Sequence, residues 1–373
     1  MPVKVLQIAN GYLGNHLYRH LFRTLEDFSV ENMIYVPINR KSLDPPPVEQ
    51  NVTVSKCFSD FDRLLFFSKQ RKMLRDVETR FDLNSLDVVH AHTVFSGGYT
   101  ALQLKLRHDL PYFTAVRNTD VNVFFKRMPH LRSTGLRVLR EAERIIFLSP
   151  AYQEQLFTQY VPARFQRELE EKCLVIPNGI APLFFDNPPH SRGWPSAVPR
   201  LIYVGEVSPN KNLELTVQAA ELLRQRGRET HLTVVGAVTA KKYRAVLQKA
   251  DEYHDRCPQE KVRGYLRAAD IFIMPSHTET FGLVYAEAMS QGLPVLYTRG
   301  QGFDGQFPDG TVGYSVSDKD PGELAERIER VLSEYGRLSE NCLRLVGKFD
   351  WKKIAEQYAS MYAHCGGSIK QAP

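Results

Sequence analysis

Twice along the chain, short β-branched apolar runs alternate with stretches of helical periodicity, and a proline-rich break separates the two series. The first series offers VKVLQIA (3–9), NMIYVPI (32–38), VTVS (52–55), DVVHAH (87–92), PYFTAV (111–116), RIIFLS (144–149) and KCLVIP (172–177). Helical patterns lie between them, around 16–27, 62–80 and 96–108. The break, APLFFDNPPHSRGWPSAVPR (181–200), holds five prolines and little periodicity, so it reads as a linker. The alternation restarts with RLIYVGE (200–206), HLTVVGA (231–237), DIFIMPS (270–276) and PVLYT (294–298), with helices expected over 211–227, 241–251 and 282–291. Strand–helix alternation of this kind predicts α/β architecture, with mostly parallel sheets covered on both faces. A length of 373 residues suits two such doubly wound domains. The expected boundaries are 1–180, a linker at 181–199 and 200–348, followed by a closing segment at 349–365. Ligands of such sheets bind beyond the carboxyl ends of the strands, so two facing sheets predict an active site in the cleft between them.

Composition narrows the class. Hydrophobic residues make up 43% and charged residues 24%, which excludes disorder, collagen and repeat fibres. No run reaches the roughly 18 uncharged apolar residues of a membrane span. The opening MPVKVLQIANGYLG reads as a first strand and not as a secretion signal. Five cysteines (Cys57, Cys173, Cys257, Cys342, Cys365) are scattered without a CxxC pair, as expected of reduced thiols in a cytosolic protein. The excess of 48 basic over 42 acidic residues, +6, does not point to nucleic acid. Its distribution is uneven. Residues 61–80 hold six basic and three acidic residues beside Phe61, Leu64, Leu65, Phe66 and Phe67; residues 117–144 hold seven and three beside Phe124, Phe125, Leu131 and Leu136. Such basic amphipathic segments suit anionic headgroups at the inner face of a membrane. A solvated helix face over a buried apolar stripe explains the same pattern.

The most informative segment is PSHTETFGLVYAEAMSQGLPVL (275–296). Pro275 and Ser276 end a strand, a loop follows, and a helix runs from about Phe281 to Gln291, where Gly292 and Pro294 stop it. On one continuous helix Glu279 and Glu287 would diverge by about 80°. With Glu279 in the preceding loop, both can approach one ligand from different sides. The amides of Phe281, Gly282 and Leu283 are free donors at a helix start, which suits a diphosphate. Carboxylates are acceptor-only and suit the hydroxyls of a sugar or ribose. A surface glutamate and a first-turn dipole partner would account for the same two residues.

Glu279 and Glu287, with the surrounding Pro-Ser, Phe-Gly and Glu-Ala-Met-Ser-Gln-Gly-Leu-Pro-Val, resemble the paired-glutamate signature of family 4 glycosyltransferases, retaining enzymes of the GT-B fold with two Rossmann-like domains. The resemblance covers nearly the whole chain and is densest over 201–296. It implies that Glu279 contacts the donor sugar, that Glu287 holds the nucleotide ribose, and that Phe281, Gly282 and Leu283 hold the diphosphate. YVGEVSPNKNL (203–213) looks like the strand–loop–helix that brings basic groups to the phosphates, with Gly205 and Lys211 in place. The residue after Gly205 is usually arginine in the family; here it is Glu206, and Arg299 is a candidate replacement cation. IANGYLGN (8–15) resembles the glycine-rich turn after the first strand, which implies ligand approach at Gly11 and Gly14. In DVVHAH (87–92), His92 ends a strand as a candidate cleft residue; a satisfied structural histidine is the alternative. In FTAVRNTDVN (113–122) the family often places a histidine three residues before Asp120; here that position is Arg117, a candidate cation for the diphosphate. IPNGI (176–180) matches a hinge-proximal Asn-Gly-Ile, with Ala181 where aspartate is usual. FDWKKIAEQYASMY (349–362) resembles the family's closing helix, which implies that 349–365 packs back on the first domain; Trp351, Tyr358 and Tyr362 also read simply as core anchors.

The implied reaction moves a sugar from a nucleoside diphosphate sugar, UDP-linked by family frequency, to an acceptor hydroxyl with retention and without metal or cofactor. The resemblance implies a glycan or lipid-linked glycan acceptor in cell-surface polysaccharide or glycolipid assembly, and the basic, aromatic segments at 61–75 and 124–140 suggest a lipid-linked or anionic glycan at the inner membrane surface. Other GT-B enzymes (a phosphorylase or an epimerase) and a non-catalytic nucleotide-sugar-binding partner of another transferase are the alternatives.

Overall fold

The structure is a computed structural model that describes residues 2–43, 45, 48–190, 193–240 and 243–369, and no side chains at 63, 64 and 365–369. The expectations for Leu64, for Cys365 and for the start of the 241–251 helix therefore lie outside the described residues. The chain forms two compact units. One comprises residues 1–148, 152–177 and 351–373; the other comprises 149–151 and 178–350.

The first unit is built on seven parallel strands: β1 (Val3–Ile8), β2 (Val30–Asn39), β3 (Val52–Phe58), β4 (Val88–Ala91), β5 (Tyr112–Val116), β6 (Arg144–Phe147) and β7 (Cys173–Val175), in the order β3-β2-β1-β4-β5-β6-β7. The chain winds outward from β1 in one direction and then restarts at β4 in the other. The switch point therefore falls between β1 and β4, which pair in parallel with Val5 opposite Val88 and Ile8 opposite Ala91. Alternating side chains feed two cores. Leu6, Ile8, Val89 and Ala91 pack with Phe95, Leu102 and Leu104, whereas Val5, Val88 and Phe113 pack with Phe22, Leu25 and Tyr358. The second core is completed by the helix Trp351–Ile369, which lies against the helix His16–Glu26 and buries Trp351, Ile354 and Tyr362.

The second unit holds six parallel strands: β8 (Arg200–Val204), β9 (His231–Val235), β10 (Glu252–His254), β11 (Ile271–Met274), β12 (Val295–Thr298) and β13 (Gly313–Val316), in the order β10-β9-β8-β11-β12-β13. Its switch point lies between β8 and β11. Everything between Gly205 and Asn212, and between Pro275 and Gly282, sits beyond the carboxyl ends of those two strands.

One expectation needs correction, and one pair of alternatives is decided. The start of the expected linker is packed: Phe184 is fully buried, Arg263 Nη1 donates to Leu183 O at 2.6 Å and Gln291 Nε2 donates to Phe184 O at 3.1 Å. Burial of one aromatic ring outweighs the lack of periodicity around it. The apolar residues of the second basic stretch also turn inward. Phe125 and Leu131 are buried, and the Phe95 ring stacks on Phe124 at 4.5 Å. In the first stretch, by contrast, Phe61, Leu65 and Phe67 remain 68%, 48% and 48% exposed. No helix among the described residues is long and apolar enough to cross a membrane.

Candidate active site

In the second unit, β11 ends at Met274 and the chain crosses a loop before entering the helix Leu283–Ser290. The helix starts two residues later than the sequence suggests, because Gly282 adopts a left-handed conformation (φ 76°, ψ 69°) and forms its cap. A Cβ at that position would lie 2.4 Å from the Tyr285 ring, so only glycine fits. At the far end Gly292 donates to Met289 O at 2.9 Å and Leu293 donates to Ala288 O at 3.2 Å, a Schellman stop with Gly292 at φ 77°. Among the described residues, the amides of Phe281, Gly282 and Leu283 donate to no protein acceptor. They are the free donors expected at a helix start.

Lys211 and Glu279 meet directly. Lys211 Nζ forms an ion pair with Glu279 Oε2, with the two side chains 23% and 12% exposed. This alters the expectation that the lysine stands free for phosphate and the glutamate free for sugar. Each charge already has a partner. Glu279 Oε1 also accepts from Thr280 N at 3.1 Å. The Glu279 backbone is held on both sides: its amide donates to Gln301 Oε1 at 3.0 Å, and its carbonyl accepts from Gly302 N at 2.9 Å.

The turn that carries Lys211 is stitched to the same loop by two asparagines. Asn210 Nδ2 donates to Thr278 O at 2.8 Å, and Asn210 Oδ1 accepts from Thr278 N at 3.1 Å. Asn212, left-handed at φ 54°, donates from Nδ2 to Pro275 O at 3.0 Å and to Asp318 O at 2.9 Å. Sequence reasoning missed Asn210, Asn212 and Gln301. The available signal was Pro-Asn-Lys-Asn, since asparagine tolerates left-handed backbone and supplies turn hydrogen bonds.

Glu287 lies on the helix, half-buried, and its carboxylate has no hydrogen-bond or ion-pair partner among the described residues. Burial alone pushes its pKa up to about 7. Phe281 is buried against Phe349, with ring centroids 5.6 Å apart. Its side chain serves packing, and only its backbone is left for a ligand. Beyond β8, Gly205 donates to Val235 O at 2.9 Å, and Tyr203 Oη donates to the carbonyl of Glu206 at 2.8 Å. The Glu206 side chain is exposed. Arg299 does not stand ready as the substitute cation: its guanidinium is paired with Glu323, at the start of the helix Pro321–Ser333.

In the first unit the remaining candidates collect near the β1/β4 switch point. Gly11 begins the turn Tyr12–Gly14, and a Cβ there would touch the Tyr18 ring at 3.3 Å. Nothing lies within 4 Å of a Cβ at Gly14, so packing does not demand glycine there. His92 is 1% exposed, which corrects the expectation of an open cleft residue. Its ring stacks on His90 at 4.1 Å, and its Nε2 bonds Gln7 Oε1 at 2.9 Å. Burial holds its pKa well below the ordinary histidine value. His90 Nδ1 bonds Tyr362 Oη at 2.6 Å and so ties β4 to the closing helix. Arg117 turns back on the same strand end, with Nε donating to His92 O at 3.2 Å; its Nη1 is buried with no partner among the described residues. Asp120 fixes this corner: Oδ1 accepts from Phe95 N at 3.1 Å and Oδ2 from Arg117 N at 2.9 Å. Burial raises its pKa to about 6.

Comparison with known proteins places this geometry. The model described as Glycosyltransferase Family 4 matches residues 16–182, and that described as Glycosyl transferases group 1 matches 186–344. The D-inositol 3-phosphate glycosyltransferase of Arthrobacter sp. is 28% identical over 72% of this chain and 68% of its own length. The glycogen synthase of Mycobacterium tuberculosis is 26% identical over 74% and 68%. Among solved structures, the sucrose-phosphate synthase of Thermosynechococcus elongatus superposes with a TM-score of 0.73 at 18% identity, covering 98% of this chain and all 100% of that one. Anabaena HepE, solved with UDP, superposes at 0.69 with 16% identity over 98% and 100%. The chain belongs to glycosyltransferase family 4 and is a glycosyltransferase of the GT-B fold.

Proposed function

We propose that the chain transfers a sugar from a nucleoside diphosphate sugar to an acceptor hydroxyl, with retained anomeric configuration and without a metal or cofactor. The observation that carries this reading is the free amide edge at Phe281, Gly282 and Leu283, flanked by Lys211, Glu279 and Glu287. The difficult event is departure of the nucleotide while positive charge grows at the sugar's C1. Preorganised amides and the Lys211 ammonium stabilise the developing charge on the leaving phosphate. Glu279 accepts hydrogen bonds from the donor sugar, and Glu287 from the ribose diol. No side chain of these loops is assigned as a nucleophile. The leaving phosphate oxygen takes the acceptor's proton on the same face.

Uridine is the proposed base. Anabaena HepE has been solved with UDP-glucose and the E. coli trehalose-6-phosphate protein with UDP-2-fluoro glucose, which supports this choice. The proposed acceptor is a glycan or lipid-linked glycan, approached from an anionic membrane surface in a cytoplasmic setting. The exposed Phe61 and Leu65, just before the helix Phe66–Arg80, and Phe67, on that helix with Lys69, Arg71 and Lys72, support that part.

A thermal-shift screen with UDP, GDP and ADP tests the donor site, because a ligand at 100 times its Kd stabilises by about 2.7 kcal/mol. Product analysis by NMR with UDP-sugars then reads the anomeric outcome. An inverted product removes the retaining mechanism. Sedimentation with phosphatidylserine vesicles tests the surface, and equal sedimentation of the Lys69/Arg71/Lys72→Ala variant removes it. Two observations favour a second reading. Glu206 stands where the family carries arginine, and Arg299 is bound to Glu323. A non-catalytic nucleotide-sugar binder fits those two facts, and saturable donor binding without turnover across acceptors distinguishes it.

A further inference from the structure

We propose that Glu279 is a resident counter-charge for Lys211, and that this pairing makes the site prefer a sugar-bearing nucleotide over the bare nucleoside diphosphate left after transfer. The inference rests on the donor-site reading above. The loop 205–212 carries one basic residue, Lys211. The nearby cationic candidates are engaged elsewhere, Arg299 with Glu323 and His277 Nδ1 with Asp318 Oδ2 at 2.7 Å. Lys211 is therefore the ammonium these loops can offer to a diphosphate, and Glu279 already holds it. Both backbones are clamped, one by Asn210 and Asn212 and the other by Gln301 and Gly302. Only the side-chain ends are free to exchange partners.

A diphosphate that draws the ammonium away leaves Glu279 Oε2 without its cation, in a place where water screens it poorly. A half-buried carboxylate deprived of its partner is costly unless new donors reach it. The hydroxyls of a donor sugar supply such donors, because a carboxylate accepts and a sugar hydroxyl donates. A nucleotide without its sugar supplies none at that point, and it sets its own negative charge beside Glu279 with one ammonium to share. The same pair thus holds Lys211 in place before binding, releases it to an intact donor, and disfavours the spent product. Removing the charge while keeping the shape isolates the effect: in Glu279→Gln the side-chain amide oxygen still accepts from Thr280 N, and Lys211 is left unclaimed.

Calorimetric titration of wild type and Glu279→Gln with UDP and UDP-glucose, GDP and GDP-mannose, and ADP and ADP-glucose reads the preference directly. For the base that binds, Glu279→Gln tightens the bare diphosphate by about three- to tenfold, the scale of one charge-assisted contact. The same variant weakens the sugar nucleotide, so the ratio of the two affinities falls. Lys211→Met weakens both ligands. Unchanged or weakened binding of the bare diphosphate by a Glu279→Gln protein with wild-type near-UV circular dichroism overturns the proposal. If wild type takes up none of the six ligands, the donor-site reading fails and this inference falls with it.

Discussion

Replacing Gly282 by alanine tests the joint on which the proposed phosphate site depends. The residue is left-handed, which costs an alanine about 1 kcal/mol or somewhat more. The added Cβ would lie 2.4 Å and 2.5 Å from two atoms of the Tyr285 ring and 3.1 Å from Glu279 Cγ. The ring has nowhere to go. Its hydroxyl donates to Met274 O, Phe272 meets it edge-on at 5.3 Å, and Phe303 lies 4.9 Å away on another side. Overpacking of this kind costs about 1–3 kcal/mol. The sum, about 2–4 kcal/mol, is a large part of a typical domain's 5–15 kcal/mol stability. With a urea slope of about 2 kcal/mol/M, the midpoint of the second unit's transition falls by about 1–2 M. Urea titration followed by far-UV circular dichroism measures it. Gly264→Ala is the control: that glycine lies inside the helix Gln259–Ala268 and a Cβ there meets nothing within 4 Å, so alanine is neutral or slightly stabilising. A Gly282→Ala midpoint equal to that of Gly264→Ala refutes the steric argument and the assigned cap geometry.

Other perturbations follow from the same contacts. Glu287 has its pKa raised to about 7 by burial, so the folded state favours its neutral form. Its contribution is intact below the ordinary carboxylate range and is lost as pH rises through about 7. Glu287→Gln therefore matches wild type near pH 4 and is more stable by about 3.5 kcal/mol near pH 8, at roughly 1.4 kcal/mol per pKa unit; parallel stability–pH curves in urea melts would contradict this. Tyr362→Phe strips His90 Nδ1 of its 2.6 Å partner and destabilises the first unit by about 1–3 kcal/mol, read as a lower urea midpoint. Asp120→Asn leaves one of the Phe95 and Arg117 amides without an acceptor, with a similar expected loss by the same measurement; an unchanged midpoint would mean the corner at Asp120 does not depend on its charge.

The sequence was most legible where one period dominates. Central strands such as β1, β4 and β11 are apolar on both faces, as a sheet covered on both sides requires, and they fall where the runs predict. The stop at Gly292 was equally readable, because a left-handed residue and a following proline leave few alternatives. The edge strands β10 and β13 were not visible. Glu252–His254 is three residues long and largely solvated, so it carries no apolar signature. The site was legible in membership but not in pairing. The Lys211–Glu279 contact joins residues 68 positions apart, and the spacing of Glu279 and Glu287 says nothing of it. His92 misled for a related reason. A polar residue at a strand end suggests a ligand, and only the tertiary packing of Tyr18, Phe22 and His90 around it shows that it is enclosed.

The closing helix makes the first unit discontinuous in sequence. Trp351, Ile354, Tyr358 and Tyr362 complete a core whose members outside that helix precede residue 178, yet 173 residues of the second unit are made in between. At about 5–20 residues per second, a ribosome takes roughly 10–35 s to cross that interval. Throughout that time the face of β1, β4 and β5 that awaits the helix is an uncovered apolar strip. Maturation of the first unit is therefore timed by synthesis of the second, and the nascent chain needs either a chaperone on that strip or a second unit that folds quickly enough to deliver the missing helix.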